Sequence, residues 1–175
     1  VTLNDESGID VRESSRCLIH ENEVSWLRKP QEGETRAYLD IHIILSSYCI
    51  ASKNYVRNAT WGFYLNVSFN CTLEMNTIEY TYTGIQLYNS SFCEIRGNTI
   101  GDNHIGVVVM WRGAHTFLHN NFLNNTHQTV VAGTSNIWDN GYPSGGNYWS
   151  DYKERYPNAE ELDNSGIWDT TYIID

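Results

Sequence analysis

GIQLYNSSFCEIRGNTIGDNHI, residues 84–105, decides the fold, because its landmarks recur at a fixed spacing of 22 on both sides. Gly62, Gly84 and Gly106 share one phase, and Asn54, Asn76, Asn98 and Asn120 share another. Each of these asparagines is followed two positions later by an apolar residue: Val56, Ile78, Ile100 or Phe122. Cys49, Cys71 and Cys93 form a third series, and Ile43, Leu65, Leu87 and Val109 a fourth. Self-similarity this strict is the mark of a solenoid.

Within one unit the apolar residues alternate: Ile85 and Leu87, Cys93 and Ile95, then Ile100. Short alternating runs broken by Gly, Asn and Ser predict three short strands joined by turns. Cys93-x-Ile95-x-x-Asn98-x-Ile100 also fits a leucine-rich repeat, but GIQLYNSS offers no helical segment to complete that unit. The expected fold is an all-β, right-handed parallel β-helix, the hand following from the preference of parallel crossovers. Upstream, Gly8, Ile9, Cys17, Ile19, Asn22 and Val24 carry one more copy, offset by 32. The extra ten residues fall in Ser25 to Ala37, a polar stretch holding Pro30 and Gly33, which reads as a loop inserted into one coil. Thr129 and Val131 continue the phase before it is lost, giving about five to six coils over residues 1–135 and a different region over 136–175.

Stacked coils place equal phases about 4.8 Å apart. Asn22, Asn54, Asn76, Asn98 and Asn120 are therefore expected to form a ladder that satisfies turn amides. Cys17, Cys49, Cys71 and Cys93 occupy one inward phase that continues as His115. Without a CxxC pair, and with parallel Cβ vectors, they suit a buried thiol column better than disulfides. A soft-metal column ending on His115 is the alternative.

The 175 residues suit one domain, and the formal net charge of −10 disfavours nucleic acid and anionic membrane surfaces as partners. The sequence contains no signal peptide or apolar run long enough to insert in a membrane, and Val1 enters without an amphipathic cap, as a cut or processed end would. Chemistry on a β-helix belongs to its outward rows. There Asp10, Arg12 and His42 are expected as neighbours and are the catalytic candidates, with Tyr64 and Tyr88 available to stack on sugar rings. No outward row places two acids on adjacent coils, so a glycosidase pair is not evident. Glu74 and Arg96 share a row as a cross-coil ion pair. The inserted loop would overhang the turns carrying Tyr80, Tyr82, Asp102, His104 and His127, and its Trp26, Arg28 and Arg36 are candidate glycan contacts. Asn-x-Ser/Thr sequons stand at Asn58, Asn66, Asn70, Asn89 and Asn124.

After the last coil the chain becomes aromatic, with WDNGYPSGGNYWSDY at 138–152 and DNSGIWDTTYIID at 163–175. These rings either plug the open end of the helix or present a sugar platform, for which Trp149 is the candidate. Asp163, Ser165 and Asp169 around Gly166 have the oxygen ligands of a short calcium loop.

The GIxL, SxxCxI and NxI coils together with this tail make the whole chain resemble the NosD-like right-handed β-helix proteins, also grouped as carbohydrate-binding and sugar-hydrolysis domains. That resemblance implies a periplasmic, extracellular or cell-surface location, as in secreted and surface proteins of archaea and some bacteria. It also implies polysaccharide binding or processing, or assistance in copper-site maturation. The chain departs from a copper role, with two Met and no CxxC, and from the usual tail, with Ser165 and Thr171 in place of Asp and Pro. The expectation is a carbohydrate-binding or structural surface module with a glycan partner and no required cofactor, calcium being the metal its tail would take. A polysaccharide lyase or hydrolase is one alternative. A filament built by end-to-end stacking of terminal coils, as a homo-oligomer, is the other.

Overall fold

The computed structural model describes residues 7–26, 39–132 and 135–174. The first coil comprises β1 (Ser7–Arg12), β2 (Leu18–His20) and β3 (Glu23–Ser25), and the second β4 (Leu39–Ile44), β5 (Ile50–Ser52) and β6 (Tyr55–Arg57). The third holds β7 (Trp61–Asn66), β8 (Thr72–Glu74) and β9 (Thr77–Glu79), and the fourth β10 (Thr83–Tyr88), β11 (Glu94–Arg96) and β12 (Thr99–Gly101). In the fifth are β13 (Ile105–Met110), β14 (Thr116–Leu118) and β15 (Asn121–Leu123). Then come β16 (His127–Ala132), β17 (Tyr148–Trp149) and the single-turn α1 (Tyr152–Arg155). Strands pair in parallel with their counterparts in neighbouring coils, giving three sheets ordered β1-β4-β7-β10-β13-β16, β2-β5-β8-β11-β14 and β3-β6-β9-β12-β15-β17.

The register is the sequence period made physical. Ile41, Phe63, Ile85, Val107 and Thr129 lie opposite one another at steps of 22, so four turns hold the spacing strictly. The count of about five to six coils expected from the sequence differs slightly from this, because it took in the offset first coil and the partial sixth. The first coil is set 32 residues away, and the sixth contributes β16 and β17 without a strand in the middle sheet. The inserted loop lies almost wholly outside the described residues, Ser25 and Trp26 excepted.

Alternation buries one side of each strand. Ile41 and Ile43, Phe63 and Leu65, Ile85 and Leu87, Val107 and Val109 fill the inner face of the first sheet. Leu73, Ile95 and Phe117 do so for the second, and Val56, Ile78, Ile100 and Phe122 for the third. Full burial of one such side chain contributes roughly 1.5–3 kcal/mol. Gly84 is required by close approach: a Cβ there would stand 2.6 Å from the Gly106 carbonyl oxygen and 3.0 Å from Ile100 Cγ2.

At the corners the backbone turns through left-handed residues, again in rows: Leu45, Val67, Asn89 and Trp111; Tyr48, Asn70, Phe92 and Ala114; Lys53, Met75, Gly97 and His119; Asn58, Tyr80, Asp102 and Asn124. Only Gly97 among these is free of the Cβ penalty, about 1 kcal/mol for other residues. Side-chain ladders hold the turns against that cost. Asn98 Nδ2 donates to the Leu73 carbonyl (2.8 Å) and to Asn120 Oδ1 (2.9 Å), while Asn98 Oδ1 accepts from the backbone and side-chain nitrogens of Asn76, both at 2.9 Å. The same pattern links Asn22 to Asn54 and Asn54 to Asn76. It also continues past Asn120 to Asn147, which the 27-residue step hides from the sequence period. A second ladder runs through Ser14, Ser46, Ser68 and Ser90, the hydroxyls of the last three each accepting the amide of the serine one coil earlier. A third joins Thr81, Asn103 and Asn125.

The aromatic tail continues the inner columns. Trp138 stacks on Phe117 at 4.0 Å between centroids and Trp149 on Phe122 at 4.2 Å, with Tyr172 lying on the far face of Trp149 at 4.2 Å. Lys153 Nζ sits 3.5 Å from the centre of the Trp168 ring.

Candidate functional site

The corner between the third and first sheets has an out, in, out pattern along the chain. Tyr80, Asp102 and Asn124 take the left-handed position and point outward; Thr81, Asn103 and Asn125 turn in as the third ladder; Tyr82, His104 and Thr126 point outward again. Successive coils stack these two outward rows on either side of the buried ladder. Between them opens a cleft of about 420 Å³, lined by both rows with Thr81 and Asn103 at its base. The Tyr82 ring is 53% exposed and lies 4.7 Å from the imidazole of His104, which meets His127 edge-on at 5.6 Å. The carboxylate of Asp102 is exposed and makes no hydrogen bond or ion pair with a described residue. Aromatic faces beside hydroxyl, amide and carboxylate oxygens can hold a ring that is apolar on its faces and polar at its rim. Only one carboxylate lines the cleft, so the acid pair that glycoside hydrolysis uses is not assembled there.

The outer row of the first sheet is assembled but closed. Asp10 pairs in register with His42, and His42 with Tyr64. However, Arg12 Nε donates to both oxygens of Asp10, at 3.0 and 2.8 Å, which occupies the carboxylate. His42, expected to be outward and open, is buried against Tyr64 with its ring centroid 4.9 Å away, and burial lowers its pKa. The candidate catalytic row is therefore corrected to a buried neutral imidazole beside a satisfied ion pair. Tyr64 and Tyr88 are half-buried, Tyr64 tilted against Trp61 and Tyr88 meeting Trp111 edge-on. Trp149 is corrected as a sugar platform, because both its faces are covered. Trp26 is half-buried at the root of the insertion, its indole beside the buried carboxyl of Asp40; Arg28 and Arg36 lie outside the described residues.

Asp40 was not legible as a special residue. It stands in the glycine phase and is fully buried, and burial pushes its pKa up to about 9, only partly offset by Trp26 and the Arg57 backbone. At neutral pH it is an uncharged acid.

The metal candidates do not converge. Asp163 meets Ser165 and accepts a hydrogen bond from Tyr142 (2.6 Å), whereas Asp169 Oδ1 accepts from the Glu160 amide (3.0 Å) and serves a separate contact. Among the described residues no three His, Cys, Asp or Glu side chains are placed to hold a metal ion. Cys49, Cys71 and Cys93 are buried and reduced, the Sγ atoms of Cys49, Cys71 and Cys93 pointing at backbone carbonyls two residues back. Burial pushes the Cys49 thiol up to about 11. The column ends on His115, whose Nδ1 accepts the Cys93 amide at 3.1 Å and whose pKa burial lowers to about 4. Glu74 and Arg96 do pair across coils, at 2.7 Å on the surface.

Stacked three-strand coils with asparagine, serine and thiol ladders define a parallel β-helix protein. The sequence model of one family, described as Periplasmic copper-binding protein (NosD), matches residues 1–154, and the chain belongs to that family. No curated protein matches it. Among the described residues no helix is long and apolar enough to cross a membrane. Among the described residues the copper in the family's description finds no fitting donor set: Cys49, Cys71 and Cys93 are buried, and the exposed imidazoles His104 and His127 have no third ligand beside them. No chemical step is therefore routed through copper.

Proposed function

We propose that the chain is a periplasmic or cell-surface β-helix module that binds a glycan in the corner cleft beside Tyr82. The observation that carries this reading is the cleft itself, where an exposed tyrosine ring, an unengaged carboxylate and an exposed amide face one open volume. Tyr82 stacks on the C–H face of a sugar ring, and Asp102 and Asn124 accept and donate hydrogen bonds at its hydroxyls. The family's description as periplasmic supports the location. A binding role is favoured over turnover because the cleft has a single carboxylate and the Asp10, Arg12 and His42 row is closed.

The test is retention of the purified chain on immobilised neutral and acidic polysaccharides, with and without calcium, with released products scored in the same samples. Retention without products is expected, lost in Tyr82→Ala and weakened in Asp102→Asn, both with unchanged circular dichroism. Product release that disappears in His42→Gln would replace this reading with an enzyme. Retention that needs calcium would return Asp163 and Asp169 to the site.

A further inference from the structure

The corner between the first and second sheets is unlike the others in being apolar and open. Leu45 is 53%, Tyr48 58%, Phe92 62% and Trp111 72% exposed. They occupy two left-handed rows, and each row is interrupted by an asparagine that begins a sequon. Asn70 lies between Tyr48 and Phe92, and Asn89 follows Val67 and precedes Trp111. Amide bonds to carbonyls of the next coil fix the register: Tyr48 to Phe69, Asn70 to Ser91, Val67 to Tyr88 and Asn89 to Met110. One coil step is about 4.8 Å, so each asparagine side chain has a ring or a branched side chain as its immediate neighbour along the axis.

We infer that Asn70 and Asn89 are N-glycosylation sites whose first sugars lie on this apolar corner. An exposed apolar surface of this kind ordinarily marks an interaction site, and the occupant here is the chain's own glycan, tethered at the two positions that break the apolar rows. Both stand at left-handed turns, Asn70 exposed and Asn89 half-buried, and neither side chain makes a hydrogen bond with a described residue that modification would remove. The other sequons are less suited. Asn58 donates its side-chain amide to the Trp26 carbonyl, and Asn66 Oδ1 is buried. Asn124 stands beside Asp102 in the cleft, away from the apolar rows. Chemically, the asparagine nitrogen displaces a polyprenyl phosphate or pyrophosphate from the anomeric carbon of a lipid-linked oligosaccharide. The C–O bond to the phosphate breaks, a C–N bond forms, and the amide proton is lost to the base of the transferase. The sugar's C–H face then stacks on Tyr48, Phe92 or Trp111.

The test is production of the whole chain through a eukaryotic secretory pathway, followed by site occupancy from peptide masses after amidase release in heavy-oxygen water. The expected result is occupancy at Asn70 and Asn89, with one glycan mass lost in Asn70→Gln and one in Asn89→Gln. Enzymatic release from the folded protein should then raise its binding of an apolar fluorescent dye, and Trp111→Ser should remove much of that rise. Occupancy confined to Asn58, Asn66 or Asn124, or a chain unmodified throughout, overturns the assignment. Occupied sites whose release leaves dye binding unchanged overturn the covering role.

Discussion

Two of the buried titratable residues, Asp40 and His115, contribute to the pH dependence of this molecule with opposite signs. Asp40 is protonated in the folded state up to about pH 9, whereas an unfolded aspartate ionises near 3.8. Its contribution is fully present below the unfolded value and is lost as pH rises towards 9, at up to about 1.4 kcal/mol per pH unit. Asp40→Asn should therefore be more stable than the native chain at pH 8 and lose that advantage near pH 4, as thermal midpoints across pH will register. His115 acts the other way. Its folded pKa of about 4 lies below the ordinary 6.5, so stability falls as pH drops from about 6.5 towards 4. His115→Cys, which repeats the residue of the three preceding coils, should flatten that acid limb. A native chain without either slope would contradict the burial of these groups. Neither residue could be read from the sequence as a titrating group. His115 was visible as the end of the cysteine phase, but its protonation depends on the volume enclosed by neighbouring coils. Asp40 was visible only as the residue standing where other coils carry Gly.

At the scale of the element, the ladders do what intrinsic preference does not. Strands of three residues joined by left-handed turns at Met75, Val67 or Phe92 have little stability of their own, and they hold because the amides of the turn residues meet backbone carbonyls of the next coil while those of Asn76, Ser68 and Cys93, which follow them, meet side-chain acceptors there. Asn98→Ala leaves the buried Asn76 backbone amide without its acceptor and removes side-chain bonds to the Leu73 carbonyl and to Asn120, and an unsatisfied buried group costs about 1–3 kcal/mol. Chemical denaturation should show Asn98→Ala as the most damaging change in its row, and Asn22→Ala, at the half-buried end of the ladder, as the mildest. Equal losses would mean that the ladder is not cooperative. The thiols give an independent check: Cys49, Cys71 and Cys93 should resist a thiol reagent in the folded chain, leaving Cys17 as the reactive one. The asparagine and cysteine rows were legible because a side chain that must meet its copy in the next coil is fixed in both type and spacing. The serine ladder and the left-handed rows were not. Ser is common in any turn, and a row such as Tyr48, Asn70, Phe92 and Ala114 shares a backbone angle without sharing a chemistry.

For the whole molecule, the period gave the architecture and the non-repeating parts held what it could not give. The strand order and inward faces follow from a spacing of 22, while the cleft depends on which residues happen to flank the third ladder: tyrosines in one coil, Asp102 and His104 in the next. The tail was readable as aromatic but not as ordered stacking. Trp149 lies between Phe122 and Tyr172 because Asn147 carries the asparagine row one step further and brings the indole over the last inner ring. Trp149→Ala should lower stability by about 3–5 kcal/mol, the range for deleting a large buried aromatic, and denaturation with tryptophan fluorescence will report it. The most direct test of the glycan-binding claim is titration of the isotopically labelled chain with oligosaccharides from whichever polysaccharide retains it, followed by amide chemical shifts. Perturbations centred on Tyr80, Tyr82, Asp102, His104 and Asn124, and absent in Tyr82→Ala, are predicted. Shifts confined to the Asp10 and Tyr64 row or to the Tyr48 and Trp111 corner, or no shifts at all, would contradict it.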